Sequence, residues 1–350
     1  MSGRARAGRA LGLVALAWVV GCGPRGVGDQ LELYRAEVEA TLGADPSAST
    51  TRVRLGLPAR RDRRIAVSDE RIGPFDFLAI VGCRLSEVVA ERNNALGRVR
   101  EPTRRLAYEL EAIEAIEACL PGLGGERARD LAERLGRKRD ELPAVAWNAV
   151  WLDADLERYL SAGPRSLVGG EDAADGPGQL ARAAAAVASR DVPALEAAFA
   201  QLRDDPAAAP LFGEWRAATA ALERVAALVD RAGEPGCGRT RRRLARVFEH
   251  RFLPYPPALG RLQREASERI GGIASLYRAT ADAVAVPGPM RAYLAVLVGE
   301  GADDGLAGRF REASVAHAEA WGPILEACGV LPEGPADRAG RAQAAAGGTT

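Results

Sequence analysis

Apolar residues recur at three- and four-residue spacing along most of this chain, the period of helices with one buried face. The pattern is clearest across residues 83–119, which predict a helical hairpin. Val81, Leu85, Val88 and Val89 line its first helix, and Gly97 supplies a left-handed stop. Pro102 then falls at the first position of the second helix, where its missing N–H costs nothing. Leu106, Leu110, Ile113 and Leu120 make that helix's stripe. A short turn brings Cys83 beside Cys119, which places a disulfide across the open end.

The same punctuation predicts the remaining elements. Leu31, Tyr34, Val38 and Leu42 mark an amphipathic helix ended by Gly43. Residues 44–73 read as irregular, with a basic run at 60–64 that reads as a solvated loop, or else as a contact for anionic headgroups near the anchor, and a short extended piece at 65–67. Pro74 opens the helix leading into the hairpin. A charged helix is expected over 126–142, with Leu131, Leu135 and Leu142 buried. Pro143 is expected to start a separate helix carrying Trp147, Val150, Leu156 and Leu160. Further helices are expected at 179–190, 193–202, 211–232, 239–253, 259–281, 287–298 and 306–325. The fold class is therefore all-α: a multi-helix bundle of antiparallel hairpins in two packed halves with intrachain disulfides. The halves are 29–162 and 179–331. A Gly-, Asp- and Pro-rich linker at 163–178 separates them, and a tail at 332–350 is expected to be disordered.

Composition strengthens the helical reading, since only 5% of residues are aromatic and Ala is abundant. Acidic and basic residues balance at 47 each, so no net field draws the chain to nucleic acid. Lys138 is the only lysine. Heavy Arg and Ala usage with almost no Lys is the mark of a GC-rich coding sequence, so an Arg cluster by itself carries little functional weight.

The N-terminus changes the picture more. Arg4, Arg6 and Arg9 precede an apolar run at 10–20 too short to span a bilayer comfortably, and Val19-Val20-Gly21-Cys22 resembles a bacterial lipobox. This predicts a signal peptide at 1–21, acylation of Cys22 and a lipidated tether at 22–28. The protein is then expected in the bacterial cell envelope, held to the lipid bilayer through Cys22 and facing the periplasm. Gly23 after the cysteine, in place of Asp, favours the outer membrane over the inner. In that oxidising compartment Cys83, Cys119, Cys237 and Cys328 are expected to pair 83 with 119 and 237 with 328, each pair within one half. By loop-closure entropy each bond contributes on the order of 4 kcal/mol.

Candidate chemistry is sparse. His250 and His317 have no second ligand at metal spacing, so no metal site is expected. No G-x-S-x-G, Ser-x-x-Lys or G-x-x-x-x-G-K sequence occurs, which argues against an enzyme of those classes and gives no cofactor. A carboxylate-based hydrolase would need two carboxylates about 5–9.5 Å apart in one cleft. One polar cluster stands out: Glu91, Arg92, Asn93, Asn94 and Arg98, facing Tyr108 and Glu109 on the returning helix. It reads either as a network fixing the hairpin's register or as a functional surface. Lys138-Arg139 and Trp147-Asn148 pose the same choice.

These residues carry a family resemblance. The segment Glu91-Arg92-Asn93-Asn94-Ala95-Leu96-Gly97-Arg98, Lys138-Arg139 with Leu142-Pro143 and Trp147-Asn148, and 247–255 resemble an uncharacterised family of proteobacterial lipoproteins grouped as a domain of unknown function. The likeness runs to about residue 331. It implies location and fold and supplies no activity. The expected function is a non-enzymatic envelope interaction protein with an envelope protein as partner. The alternative is a binding protein for a small envelope ligand, a lipid or cell-wall fragment.

Overall fold

Glycine and proline set several of the helix ends that the sequence predicts, among them Gly43 and Pro102. The computed structural model describes residues 26–45, 55–68, 80–93, 101–161, 175–203, 205, 208–232, 236–299 and 304–330. These hold thirteen α-helices and no strand. The first is α1 (Val27–Leu42), closed by Gly43 in the left-handed conformation, φ 63°, which a side chain would resist. Then come α2 (Arg60–Arg63), α3 (Arg84–Asn93), α4 (Pro102–Cys119), α5 (Gly125–Trp151) and α6 (Ala154–Leu160). The remainder are α7 (Gly176–Ser189), α8 (Val192–Gln201), α9 (Ala208–Asp230), α10 (Arg239–Val247), α11 (Pro256–Ala281), α12 (Gly288–Leu297) and α13 (Gly305–Ala327). A π-turn (Phe248–Phe252) continues α10.

The fold is an all-α bundle. In it α3 packs on α4 and α4 on α5, while α7 packs on α8 and α11, and α9 lies between α1 and α13. Trp147, Trp151, Trp215 and Trp321 are all buried and form the heaviest part of the core. Trp151 Nε1 donates to Thr280 Oγ1 at 3.0 Å, which locks α5 to α11 and satisfies the indole. The α1–α9 contact is pinned by buried Glu39, which accepts from Arg35 Nη1 at 2.6 Å and Arg224 Nε at 3.2 Å. Both expected disulfides are present: Cys83–Cys119 with Cα atoms 5.9 Å apart, and Cys237–Cys328 at 5.0 Å. The first clamps the α3–α4 hairpin, and the second joins the start of α10 to the end of α13.

Several expectations need correction. Pro143 does not start a helix; α5 runs through it. A proline there costs one backbone hydrogen bond, but the stripe Leu135, Leu142, Val145, Trp147 and Val150 is buried without interruption and outweighs that loss. The break comes later, where Asp153 caps α6 by accepting from the N–H groups of Asp155 (2.8 Å) and Leu156 (3.0 Å). Val81 does not join the hairpin stripe; it precedes α3 and is 62% exposed. The basic run at 60–64 keeps Arg60, Arg61 and Arg64 exposed, but it forms the short helix α2 rather than a loop, and one of its arginines is buried. Arg63 is 1% exposed and ion-paired with Glu157, and Arg60 Nη2 donates to the Leu152 carbonyl at 2.6 Å.

Residues 65–67 form no strand, yet they are held as one would be. The Asn148 amide accepts from Ile65 N–H at 2.9 Å and donates to Ile65 C=O at 2.7 Å. Trp147 Nε1 reaches the Arg63 carbonyl at 2.8 Å. The expected signal at 1–21, Cys22, Pro74, Asn94, Gly97, Arg98, residues 163–174 of the linker and the 332–350 tail lie outside the described residues.

Candidate functional site

On α4 the core-facing positions read Leu106, Glu109, Ile113 and Ile116, so a carboxylate occupies a slot in an otherwise apolar stripe. Glu109 is 4% exposed. A buried carboxylate stays charged only when cations and donors surround it, and three helices supply them. Lys138 on α5 places Nζ 2.6 Å from Glu109 Oε2. Arg105, one turn back on α4, and Arg92, on the last turn of α3, reach Oε1 at 3.5 and 3.8 Å.

Tyr108 completes the group. The Arg92 guanidinium lies 4.5 Å from its ring centroid and Lys138 Nζ lies 5.4 Å from it, both within cation–π range. The ring and the carboxylate thus fix the two cations on adjoining sides. The three cations meet the carboxylate at a partly exposed rim, where the Lys138, Arg92 and Arg105 side chains are 15%, 20% and 34% exposed. Arg105 also donates to the Ser68 carbonyl at 2.7 Å, and Ser68 Oγ donates to Glu141 at 2.7 Å, which draws the 64–68 segment to the same rim.

The structure therefore brings Arg92, Tyr108 and Glu109 together as the sequence suggested. Glu91 is exposed beside them, and Asn93 ends α3. Lys138, set apart in the sequence reading, belongs to the cluster, whereas its neighbour Arg139 pairs with Glu117 at 2.6 Å nearer the hairpin's disulfide end. Arg105 was missed. Its signal was Glu109 itself, an acid on an apolar stripe with an arginine four residues earlier. Trp147 and Asn148 stand apart from the cluster and hold the 63–65 backbone.

No group of three metal-ligating side chains occurs among the described residues. His317 is buried among Phe248, Phe252 and Trp321 and shares a 2.9 Å hydrogen bond with Tyr34. Burial pushes its pKa down to about 3, so the ring is neutral. Among the described residues no helix is long and apolar enough to cross a membrane.

Neither a curated protein nor a solved structure matches the chain. A family described only as proteins of unknown function, DUF3080, matches residues 31–332, a span that contains the whole Glu109 cluster and both disulfides. The chain belongs to the DUF3080 family.

Proposed function

We propose that this protein is a non-enzymatic interaction protein of the bacterial cell envelope, anchored by acylated Cys22 and facing the periplasm from the outer membrane. The Glu109 cluster is its recognition site for an anionic group on an envelope protein partner. The supporting observation is the convergence of Arg92, Arg105 and Lys138 on one buried carboxylate. Glu109 orients the three cations toward a partly exposed rim. A partner's carboxylate or phosphate meets charges whose ordering cost was met on folding. The mixture of two guanidiniums and one ammonium offers both forked and point-like donors.

The test is a photo-reactive side chain placed at exposed Glu91 in cells. A discrete adduct with one envelope protein, lost when Lys138→Met is added, is the expected result. Absence of any Lys138-dependent adduct counts against the reading.

The second reading is a small envelope ligand bearing a phosphate or carboxylate. The compactness of the cluster favours it, since one acidic group can face the Lys138, Arg92 and Tyr108 rim. Headgroup phosphates or cell-wall peptides would then raise the melting temperature of the wild type and leave Lys138→Met unmoved. Equal shifts in both forms would exclude this site.

A further inference from the structure

Along α10 the sequence Arg239-Thr-Arg-Arg-Arg-Leu-Ala-Arg-Val buries Leu244, Ala245 and Val247 and sends arginine outward. Arg239, Arg242, Arg243 and Arg246 are exposed, and their three- and four-residue spacing puts them on one face. The helix contains no carboxylate, and none of the four is ion-paired among the described residues. Many arginines elsewhere are matched, such as Arg35 with Glu39, Arg63 with Glu157, Arg139 with Glu117, Arg203 with Asp155 and Arg224 with Glu39, while others, such as Arg84, Arg127, Arg261 and Arg264, are not ion-paired among the described residues. A genome's preference for arginine explains their number. It does not explain four unpaired ones on a single helical face, with Glu249 of the π-turn the next acid along the chain.

The chain then passes into the π-turn, where Leu253 N–H bonds the Phe248 carbonyl at 3.0 Å. The wider turn leaves Phe248 and Phe252 packed against His317 and Trp321, with Phe252 also against Tyr34. Beyond Phe252 the chain turns outward. Leu253 is 51% exposed, and Pro254, Pro256 and Pro257 are exposed beside it. This apolar tip is not adrift: Tyr255 OH donates to Gln30 Oε1 at 2.8 Å, on the first turn of α1. The tip therefore sits where the chain arrives from Cys22, eight residues before Gln30.

We propose that the arginine stripe of α10 and the tip at 253–257 form a bilayer-contacting surface that takes anionic phospholipid headgroups. The guanidiniums suit the headgroup phosphates, and Leu253 with the proline-rich turn suits the acyl boundary. The orientation relative to Cys22 rests on the proposed lipid anchor; headgroup binding does not. The surface would hold the bundle down on the membrane.

The test uses the unlipidated chain from Gly23 onward, which retains every described residue. It is sedimented with vesicles containing phosphatidylglycerol and, separately, with vesicles of phosphatidylcholine alone. Binding is expected to the anionic vesicles, to fall with added salt, and to drop roughly five-fold for each arginine replaced. Changing all four, R239Q with R242Q, R243Q and R246Q, should abolish it while the thermal melt is unchanged. Leu253→Ser should weaken it with the salt dependence intact. Equal binding to both vesicle types, undiminished binding by the four-fold variant, or tighter binding to a short DNA duplex than to anionic vesicles would overturn the proposal. Failure of the anchor would appear separately, as an unmodified Cys22 in the mass of the intact protein.

Discussion

Lys138 Nζ lies 2.6 Å from Glu109 Oε2, joining the only lysine of the chain to the one carboxylate on the apolar stripe of α4. The two partners are not equivalent. Glu109 is the shared anion of three cations, and Lys138 is one cation among three. Glu109→Gln should destabilise the fold by about 2–4 kcal/mol, because it removes the buried anion that three clustered cations share. Lys138→Met keeps most of the buried stem and leaves Glu109 its two arginines, so it should cost only about 1 kcal/mol. Denaturant melts of both variants measure this. Equal losses would mean that Glu109 is not the organising group.

Asn148 does for residue 65 what a neighbouring strand would do. Asn148→Ala removes both hydrogen bonds to Ile65 and should cost about 1–3 kcal/mol. Trypsin should then cut at Arg64 faster than in the wild type, while Asn148→Asp, which keeps the acceptor alone, falls between. Unchanged cleavage at Arg64 in Asn148→Ala would show that other contacts hold the segment.

Adjacent glycines on α11 should respond in opposite directions. A Cβ on Gly272 would stand 2.8 Å from Leu180 Cβ and 3.2 Å from the Pro177 carbonyl, where α7 crosses. A Cβ on Gly271 meets nothing within 4 Å. Gly272→Ala should therefore destabilise by about 1–3 kcal/mol through forced separation of the helices. Gly271→Ala should stabilise by about 0.5–1 kcal/mol through helix propensity. Melting temperatures decide it, and a shift of the same sign for both would refute the close α7–α11 packing.

His317 makes the fold acid-sensitive. Its folded pKa is down at about 3 against an ordinary 6.5, so the unfolded chain binds the proton more readily between those values. Its contribution to stability is full above about pH 6.5 and is lost as pH falls toward 3. Burial raises the carboxyls of Asp153 and Asp205, which act oppositely, weakening the fold as pH rises above the ordinary carboxylate range. His317→Phe isolates the histidine's part. Its melting temperature, lower near pH 7 for want of the Tyr34 bond, should fall less steeply than that of the wild type from about pH 6.5 to about pH 4. Parallel curves would contradict a buried neutral histidine.

A feature was legible in the sequence to the extent that its cause is local. Gly43 and Pro102 act on their own backbone, so the ends of α1 and α4 could be read directly. The Cys83–Cys119 pairing came with the hairpin. Pro143 misled because its local preference to break a helix is outweighed by the buried stripe around it, which only packing reveals. Arg63 looked like a surface arginine because its partner, Glu157, is 94 residues away. The Glu109 cluster was half visible: Arg92, Tyr108 and Glu109 share a hairpin, but Lys138 arrives on a third helix whose contact with α4 no local pattern encodes. The arginine stripe of α10 was visible as composition. Its meaning needed the structure, which shows the four arginines exposed on one face and without ion pairs among the described residues.

The envelope reading meets its sharpest trial in cells. Affinity capture after cross-linking should be run on the wild type, on Cys22→Ser and on Lys138→Met side by side. One envelope protein joined to the anchored wild type, and missing from both variants, is the expected outcome. Recovery of the same proteins from all three forms, or of none from any, would contradict both the anchored setting and the Glu109 cluster as its point of contact.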